Sequence, residues 1–259
     1  MILLVDIGNS RLKYAHLAGA YIGPQKSFEY AAWTIEDWHR QVFDAAPVAG
    51  VIAATVAGGA SAIALRQAAA AAGVADVRFV QSTATAAGVR NGYLDPAQLG
   101  VDRWLALIAA HRHWVGPCCV VDVGTAATVD ALAADGTHLG GFIVPGPDLM
   151  VRSLFRGTRE LATRAAQAAE GAEAFFARNT REAIGRGCVL ALVALAERAA
   201  AELEHRVGTP PRLLVTGGAG ASLLPWLRRP AELVPDLVLR GLAVLATEAD
   251  RLSGQPAGR

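Results

Sequence analysis

Ile2-Leu3-Leu4-Val5-Asp6-Ile7-Gly8-Asn9-Ser10 opens the chain, and Cys119-Val120-Val121-Asp122-Val123-Gly124-Thr125-Ala126 repeats it in kind near the middle. Each is an apolar run, then Asp-x-Gly, then small polar residues. Such a run bounded by a turn signal reads as a buried strand, and Asp-x-Gly as the sharp turn into a neighbouring strand. After the first turn Leu12–Tyr21 continues the chain as strand. After the second come Thr128–Ala133, the turn Asp135-Gly136 and a further strand over His138–Val144. Both copies begin as antiparallel meanders with glycine corners.

The later part of each half alternates differently. Val48–Val56 and Val77–Gln81 read as strands around an alanine-rich helix, Ala60–Ala72, and Arg103–Trp114 as a helix entered through Gly100-Val101-Asp102. Arg181–Val207 is a long helix, Arg212–Val215 a strand and Gly217–Gly220 a glycine turn. A last helix spans about Gly241–Leu252, before a frayed tail, Ser253–Arg259. A meander followed by alternating helices and strands, twice over, predicts an α/β fold of two similar halves with mixed sheets. The boundary falls near Val115–Pro117, giving halves of 1–115 and 116–259.

Composition narrows the function class. Over 259 residues, 24 Lys and Arg balance 23 Asp and Glu, so no basic footprint for nucleic acid or anionic lipid exists. The three cysteines, Cys118, Cys119 and Cys188, suggest neither a disulfide framework nor a metal spacing, which fits a reducing, cytoplasmic compartment. Asp6, Arg11 and Lys13 interrupt the apolar N-terminus too early for a signal-peptide core. The uncharged stretch Pro47–Leu65 splits into strand and helix around Gly58-Gly59, so no membrane span is expected.

Three clusters can carry chemistry. In Asp6–Ser10, Gly8 allows a tight turn whose N–H groups can cradle phosphate oxygens. Asn9 and Ser10 add neutral donors, Lys13 adds a point charge, and Asp6 suits a hydrated Mg²⁺. Taken alone, the stretch reads equally well as an ordinary Asx-type turn. Asp122-x-Gly124-Thr125-Ala126-x-Thr128-x-Asp130 is the second cluster; two such turns facing each other across a cleft would offer donors to one phosphate chain. Its plain alternative is a structural turn in a duplicated fold. In Gly100-Val101-Asp102-Arg103-Trp104, Asp102 could accept the proton of an attacking alcohol and Arg103 could grip an anion bidentately. An ordinary aspartate is ionised at neutral pH and needs no raised pKa for this. The plain alternative there is a helix cap with a solvent-facing partner. His111 and His113 point to different sides of a helix, against shared metal ligation. Ala183, Gly187 and Ala191 form a small-residue stripe, either an internal packing face or a dimer seam.

In order, Asp6-x-Gly8-Asn9-Ser10-x-x-Lys13, Gly100-x-Asp102-Arg103, Asp122-x-Gly124-Thr125-Ala126-x-Thr128-x-Asp130, Gly140-Gly141-x-Ile143-x-Pro145-Gly146 and Asn179-Thr180-x-x-Ala183-Ile184 together resemble type III pantothenate kinase. That family lies within the acetate/sugar kinase and actin superfamily. The resemblance implies a duplicated ribonuclease H-like, actin-like fold with a cleft between its halves. It implies ATP-dependent phosphorylation of pantothenate to 4'-phosphopantothenate, the first step towards coenzyme A. On this resemblance Asp6, Ile7, Gly8, Asn9, Ser10, Arg11, Leu12 and Lys13 would bind ATP, with Asp6 near Mg²⁺ through water. Asp102 would be the general base, and Tyr93, Gly100, Val101 and Arg103 would line the pantothenate pocket. Asp122 would hold a monovalent cation, potassium or ammonium, and Thr125 would contact ATP. Thr180 would reach pantothenate across a homodimer, and the last helix would fold back onto the first half. Ser10 stands where the family commonly has threonine, and Gly217–Gly220 lacks an acidic residue often found after the paired glycines. The competing readings are a sugar or acetate kinase of the same superfamily and a nucleotide-binding regulatory protein without turnover.

Overall fold

The computed structural model describes residues 1–44, 46–157 and 175–252; the expected tail lies outside them. The chain forms two compact units. One comprises Met1–Val115, Asp135–His138 and the segment from Asp236 onward; the other comprises Gly116–Ala134 and Leu139–Pro235.

In the first unit the chain runs β1 (Ile2–Ile7), β2 (Arg11–Ala18), β3 (Tyr21–Ile22), β4 (Lys26–Glu29), α1 (Ile35–Phe43), β5 (Gly50–Thr55), α2 (Gly59–Ala71) and β6 (Val77–Phe79). A small hairpin, β7 (Thr85–Ala86) and β8 (Val89–Arg90), leads to α3 (Val101–His113). The sheet order is β3-β2-β1-β5-β6, with β4 also on β2. β1 pairs antiparallel with β2 and parallel with β5. Strand alternation sorts the side chains by face. Leu3, Val5, Ile7, Leu12 and Tyr14 join Trp38, Val42, Leu65 and Ala68 in one core beneath α1 and α2. Each fully buried aliphatic side chain is worth roughly 2 kcal/mol. A one-residue slip would expose the whole set, so the core fixes the register. Asp6 and Lys13, which stand opposite each other in that register, therefore share the other face.

In the second unit the order is β9 (Cys118–Val123), β10 (Ala126–Leu132), β11 (His138–Pro145, whose first residue belongs to the first unit), α4 (Pro147–Gly157), α5 (Thr180–Val207), β12 (Arg212–Thr216) and β13 (Ala231–Leu233). The sheet reads β11-β10-β9-β12-β13, again with an antiparallel hairpin at its centre and parallel strands beyond. Cys119, Val121, Val123, Ala127 and Val129 pack with Leu192, Val193, Ala196 and Ala200 of α5. The same strand plan thus occurs twice, which is the duplicated ribonuclease H-like, actin-like arrangement.

The final helix, α6 (Leu237–Leu252), belongs to the first unit and packs on α3. It begins four residues before the glycine where the sequence pattern placed it, because Asp236 accepts from Arg240 N at 2.9 Å and opens the first turn. α3 likewise starts at Val101, with Gly100 as its cap residue. Pro47–Leu65 falls into β5 and α2, and no helix among the described residues is long and apolar enough to cross a membrane.

Candidate active site

The first turn joins β1 to β2. Ile7 pairs with Leu12, both fully buried, and between them Gly8 N donates to Arg11 O at 3.0 Å. Gly8 does not take a left-handed φ, so its role is proximity: a Cβ there would meet Arg11 O at 3.2 Å. Tyr30 donates its hydroxyl to Gly8 O at 2.6 Å and stacks edge-on to Trp38, tying the turn to α1. Asn9 and Ser10 are exposed, and Asp6 is only 7% exposed at the strand end. Arg11 donates to Ser27 Oγ at 3.0 Å and pairs with Glu29. The Ile7 and Leu12 side chains lie in the core, so only their backbone can face a ligand.

The second turn joins β9 to β10 and is one residue shorter, since Val123 pairs with Ala127. Asp122 stands opposite Thr128 on one neighbouring strand and Thr216 on the other, all on the sheet face away from α5. Thr125 is exposed at the tip. Two glycines close in on this turn. A Cβ on Gly217, whose φ is +87°, would meet Asp122 Oδ1 at 2.4 Å; one on Gly146 would meet Gly124 O at 2.0 Å. The Gly217–Gly220 cluster and the Pro145-Gly146 pair, weak signals separately, thus brace one hairpin.

The third cluster is built at the start of α3. Ser82 donates to Leu99 O at 2.7 Å and Gly100 O accepts from Trp104 N at 2.9 Å, so both residues ahead of the helix are pinned. Asp102 Oδ1 accepts from Arg103 N at 2.8 Å, a carboxylate in the first turn where the helix dipole favours it. Arg103 is 6% exposed, and its Nη1 donates to the Tyr93 hydroxyl at 2.7 Å. Tyr93 and Arg103 are ten residues apart in sequence, and the fold makes them one unit. Tyr93 also stacks nearly parallel on His138, a residue the sequence pattern marked only as the start of a strand.

Ligand fit can be judged from the donor sets. The β1–β2 turn offers exposed Asn9 and Ser10 with Asp6 and Lys13 side by side in register, a set suited to phosphates and a hydrated Mg²⁺. Around Asp122, Thr216 Oγ1 is buried without a hydrogen-bond partner, an orphaned oxygen beside a carboxylate. That oxygen set suits a hard monovalent cation. Among the described residues no three His, Cys, Asp or Glu side chains group as a metal cluster. His111 is packed against Gly88 and Gly136.

A profile of the type III pantothenate kinases matches residues 2–202. The chain belongs to the type III pantothenate kinase family. Its reaction is accordingly the ATP-dependent phosphorylation of pantothenate in coenzyme A biosynthesis. The type III pantothenate kinase of Azoarcus sp. (strain BH72) is 40% identical over 262 residues, covering 100% of this chain and 96% of that one. That of Aromatoleum aromaticum is 40% identical over 250 residues, covering 96% and 98%. Among solved structures, a conserved putative Baf family transcriptional activator from Campylobacter jejuni has a TM-score of 0.61 at 21% identity, covering 96% of this kinase and 99% of its own chain. The ethanolamine utilization protein EutJ from Carboxydothermus hydrogenoformans has a TM-score of 0.51 at 13% identity, covering 93% and 88%. At those identities the two structures speak for the fold alone. The kinase match rules out a sugar or acetate kinase as the family.

Proposed function

We propose that Asp102 is the base of the pantothenate kinase reaction and that Arg103 holds the pantothenate carboxylate. The Asp102 carboxylate takes the proton of the primary hydroxyl as that oxygen bonds to the γ-phosphorus of ATP and the bond to the β-phosphate oxygen breaks, releasing ADP. Tyr93, Gly100 and Val101 line the pocket, and Thr180 of the partner subunit completes it in a homodimer. Gly8, Asn9, Ser10, Arg11 and Lys13 take the ATP phosphates, with Ile7 and Leu12 contributing backbone only, and Asp6 meets them through the metal. Asp6 holds Mg²⁺ through water, Thr125 contacts ATP, and Asp122 holds potassium or ammonium. The residue halves 1–115 and 116–259 divide these roles. The enzyme works in the cytoplasm.

One observation carries this reading: a buried arginine, oriented by Tyr93, directly follows a carboxylate at a helix start. The homodimer is supported by the stripe Ala183, Gly187 and Ala191, which is exposed along α5, with nothing within 4 Å of a Cβ on Gly187. ADP release by the purified protein, with pantothenate and with glucose or acetate as controls, tests the assignment with and without potassium or ammonium. Turnover that needs both pantothenate and the cation is expected. Cation-independent turnover would remove Asp122 from its role, and undiminished turnover with Asp102 replaced by Asn would remove Asp102.

A further inference from the structure

We infer that His138 is a positioning residue for substrate binding: it holds the Tyr93 ring, and through it sets the Arg103 guanidinium. The inference rests on Arg103 binding the pantothenate carboxylate. The imidazole of His138 lies 5.9 Å from the Tyr93 ring, centroid to centroid, with the planes 14° apart. Tyr93 in turn accepts from Arg103 Nη1 at 2.7 Å, and the guanidinium carbon lies 5.4 Å from the same ring. Three side chains from separate stretches of sequence thus form one relay, with His138 at the far end from the substrate.

His138 can serve as a wall because its surroundings are held by hydrogen bonds and close packing. It is 1% exposed and is the first residue of β11. Just before it, Arg90 N donates to Gly136 O at 2.9 Å and the Arg90 side chain donates to Asp135 Oδ2 at 2.7 Å and to Thr137. Gly136, at φ +81°, sits where a Cβ would fall 2.2 Å from Gly88 O, so the turn is pressed onto the β7–β8 hairpin. The Tyr93 loop needs such a wall. Its backbone is held by Asn91, whose Oδ1 accepts from Tyr93 N at 3.0 Å, but Tyr93 itself is only half-buried. Gly92 N also donates to His138 Nδ1, at 3.4 Å, so ring and loop are fixed together.

A ring plane and a filled volume make different demands, and that separates this role from a purely structural one. His138→Leu fills the volume without a plane; His138→Phe restores the plane. An aromatic pair is worth enough to change an equilibrium about three- to tenfold. His138→Leu should therefore raise the KM for pantothenate by that factor, with kcat and the KM for ATP unchanged, and His138→Phe should recover the part that the ring plane supplies, the Gly92 N bond to Nδ1 being lost in both variants. In an Arg103→Ala background His138→Leu should add nothing, because the relay has lost its last member. With pantothenyl alcohol, which lacks the carboxylate, His138→Leu should also have little effect. Equal KM values for wild type and His138→Leu, or an equal defect in the Leu and Phe variants at matched thermal midpoints, would overturn the inference. An Arg103→Ala variant with normal KM would instead overturn the carboxylate reading beneath it.

Discussion

Gly100 makes room for the Asp102 carboxylate: a Cβ on Gly100 would stand 2.6 Å from Asp102 Oδ1. The atom in the way is the end of a side chain, which can swing aside at small energetic cost. Gly100→Ala should therefore leave the thermal midpoint nearly unchanged. It should lower kcat by up to about a hundredfold, the cost of an ångström-scale misplacement of a reacting group. A Gly100→Ala enzyme with full kcat would show that the carboxylate position seen here is not the working one.

Asp102→Asn keeps the shape and removes the base. The variant should still bind ATP and pantothenate by calorimetry, while kcat falls by about 10²–10⁴-fold. Binding lost together with turnover would make Asp102 a binding group instead.

How much of this was legible in the sequence depends on range. The two Asp-x-Gly hairpins could be read because a strand and its turn are neighbours in the chain, and the face of Asp6 and Asp122 then follows from alternation. The α1 helix, which is not among the elements expected from the sequence, carried a local signal too, the capping pair Thr34 and Asp37, in which Thr34 N donates to Asp37 Oδ2 and Asp37 N to Thr34 Oγ1. The three-residue strand β13 carried none, since so short a parallel strand has no period to detect. Contacts such as Tyr93 with His138, or Gly217 with Asp122, join segments far apart in the chain, and no local pattern announces them. Gly8 was legible as a turn, but for a different reason than backbone freedom: its φ is not left-handed, and the near carbonyl of Arg11 sets the limit.

Gly241 on α6 lies against α3 so closely that a Cβ would come within 2.1 Å of Leu105 O, a backbone atom that cannot step aside. Overpacking of this kind costs about 1–3 kcal/mol. Gly241→Ala should lower the urea midpoint by a corresponding amount. It should also impair the active site, since α3 carries Asp102 and Arg103 at its first turn. A variant as stable as wild type would mean the two helices can separate at this point without loss.

Asp122 and Thr216 give a test that does not depend on turnover. An unsatisfied buried hydroxyl costs about 1–3 kcal/mol. Thr216→Val should therefore be at least as stable as wild type in sodium- and potassium-free buffer, while losing any rise in thermal midpoint that potassium gives the wild type. Asp122→Asn should lose the same response. A potassium shift that survives both substitutions would place the cation elsewhere.

The cysteines set an alkaline limit. Burial pushes the Cys118 thiol up to about 11 and the Cys119 thiol up to about 12, from an ordinary value of 9.0. Both are raised in the folded state, so the neutral thiols contribute their full stability below pH 9 and lose it as pH climbs through about 11 and 12. Urea midpoints measured from pH 8 upward should fall over that window, and Cys119→Ala, though less stable at pH 8, should fall less steeply. The same burial should keep both thiols unreactive towards a maleimide at pH 8 until denaturant is added. Rapid labelling of either cysteine in the native protein would show that this core opens without unfolding.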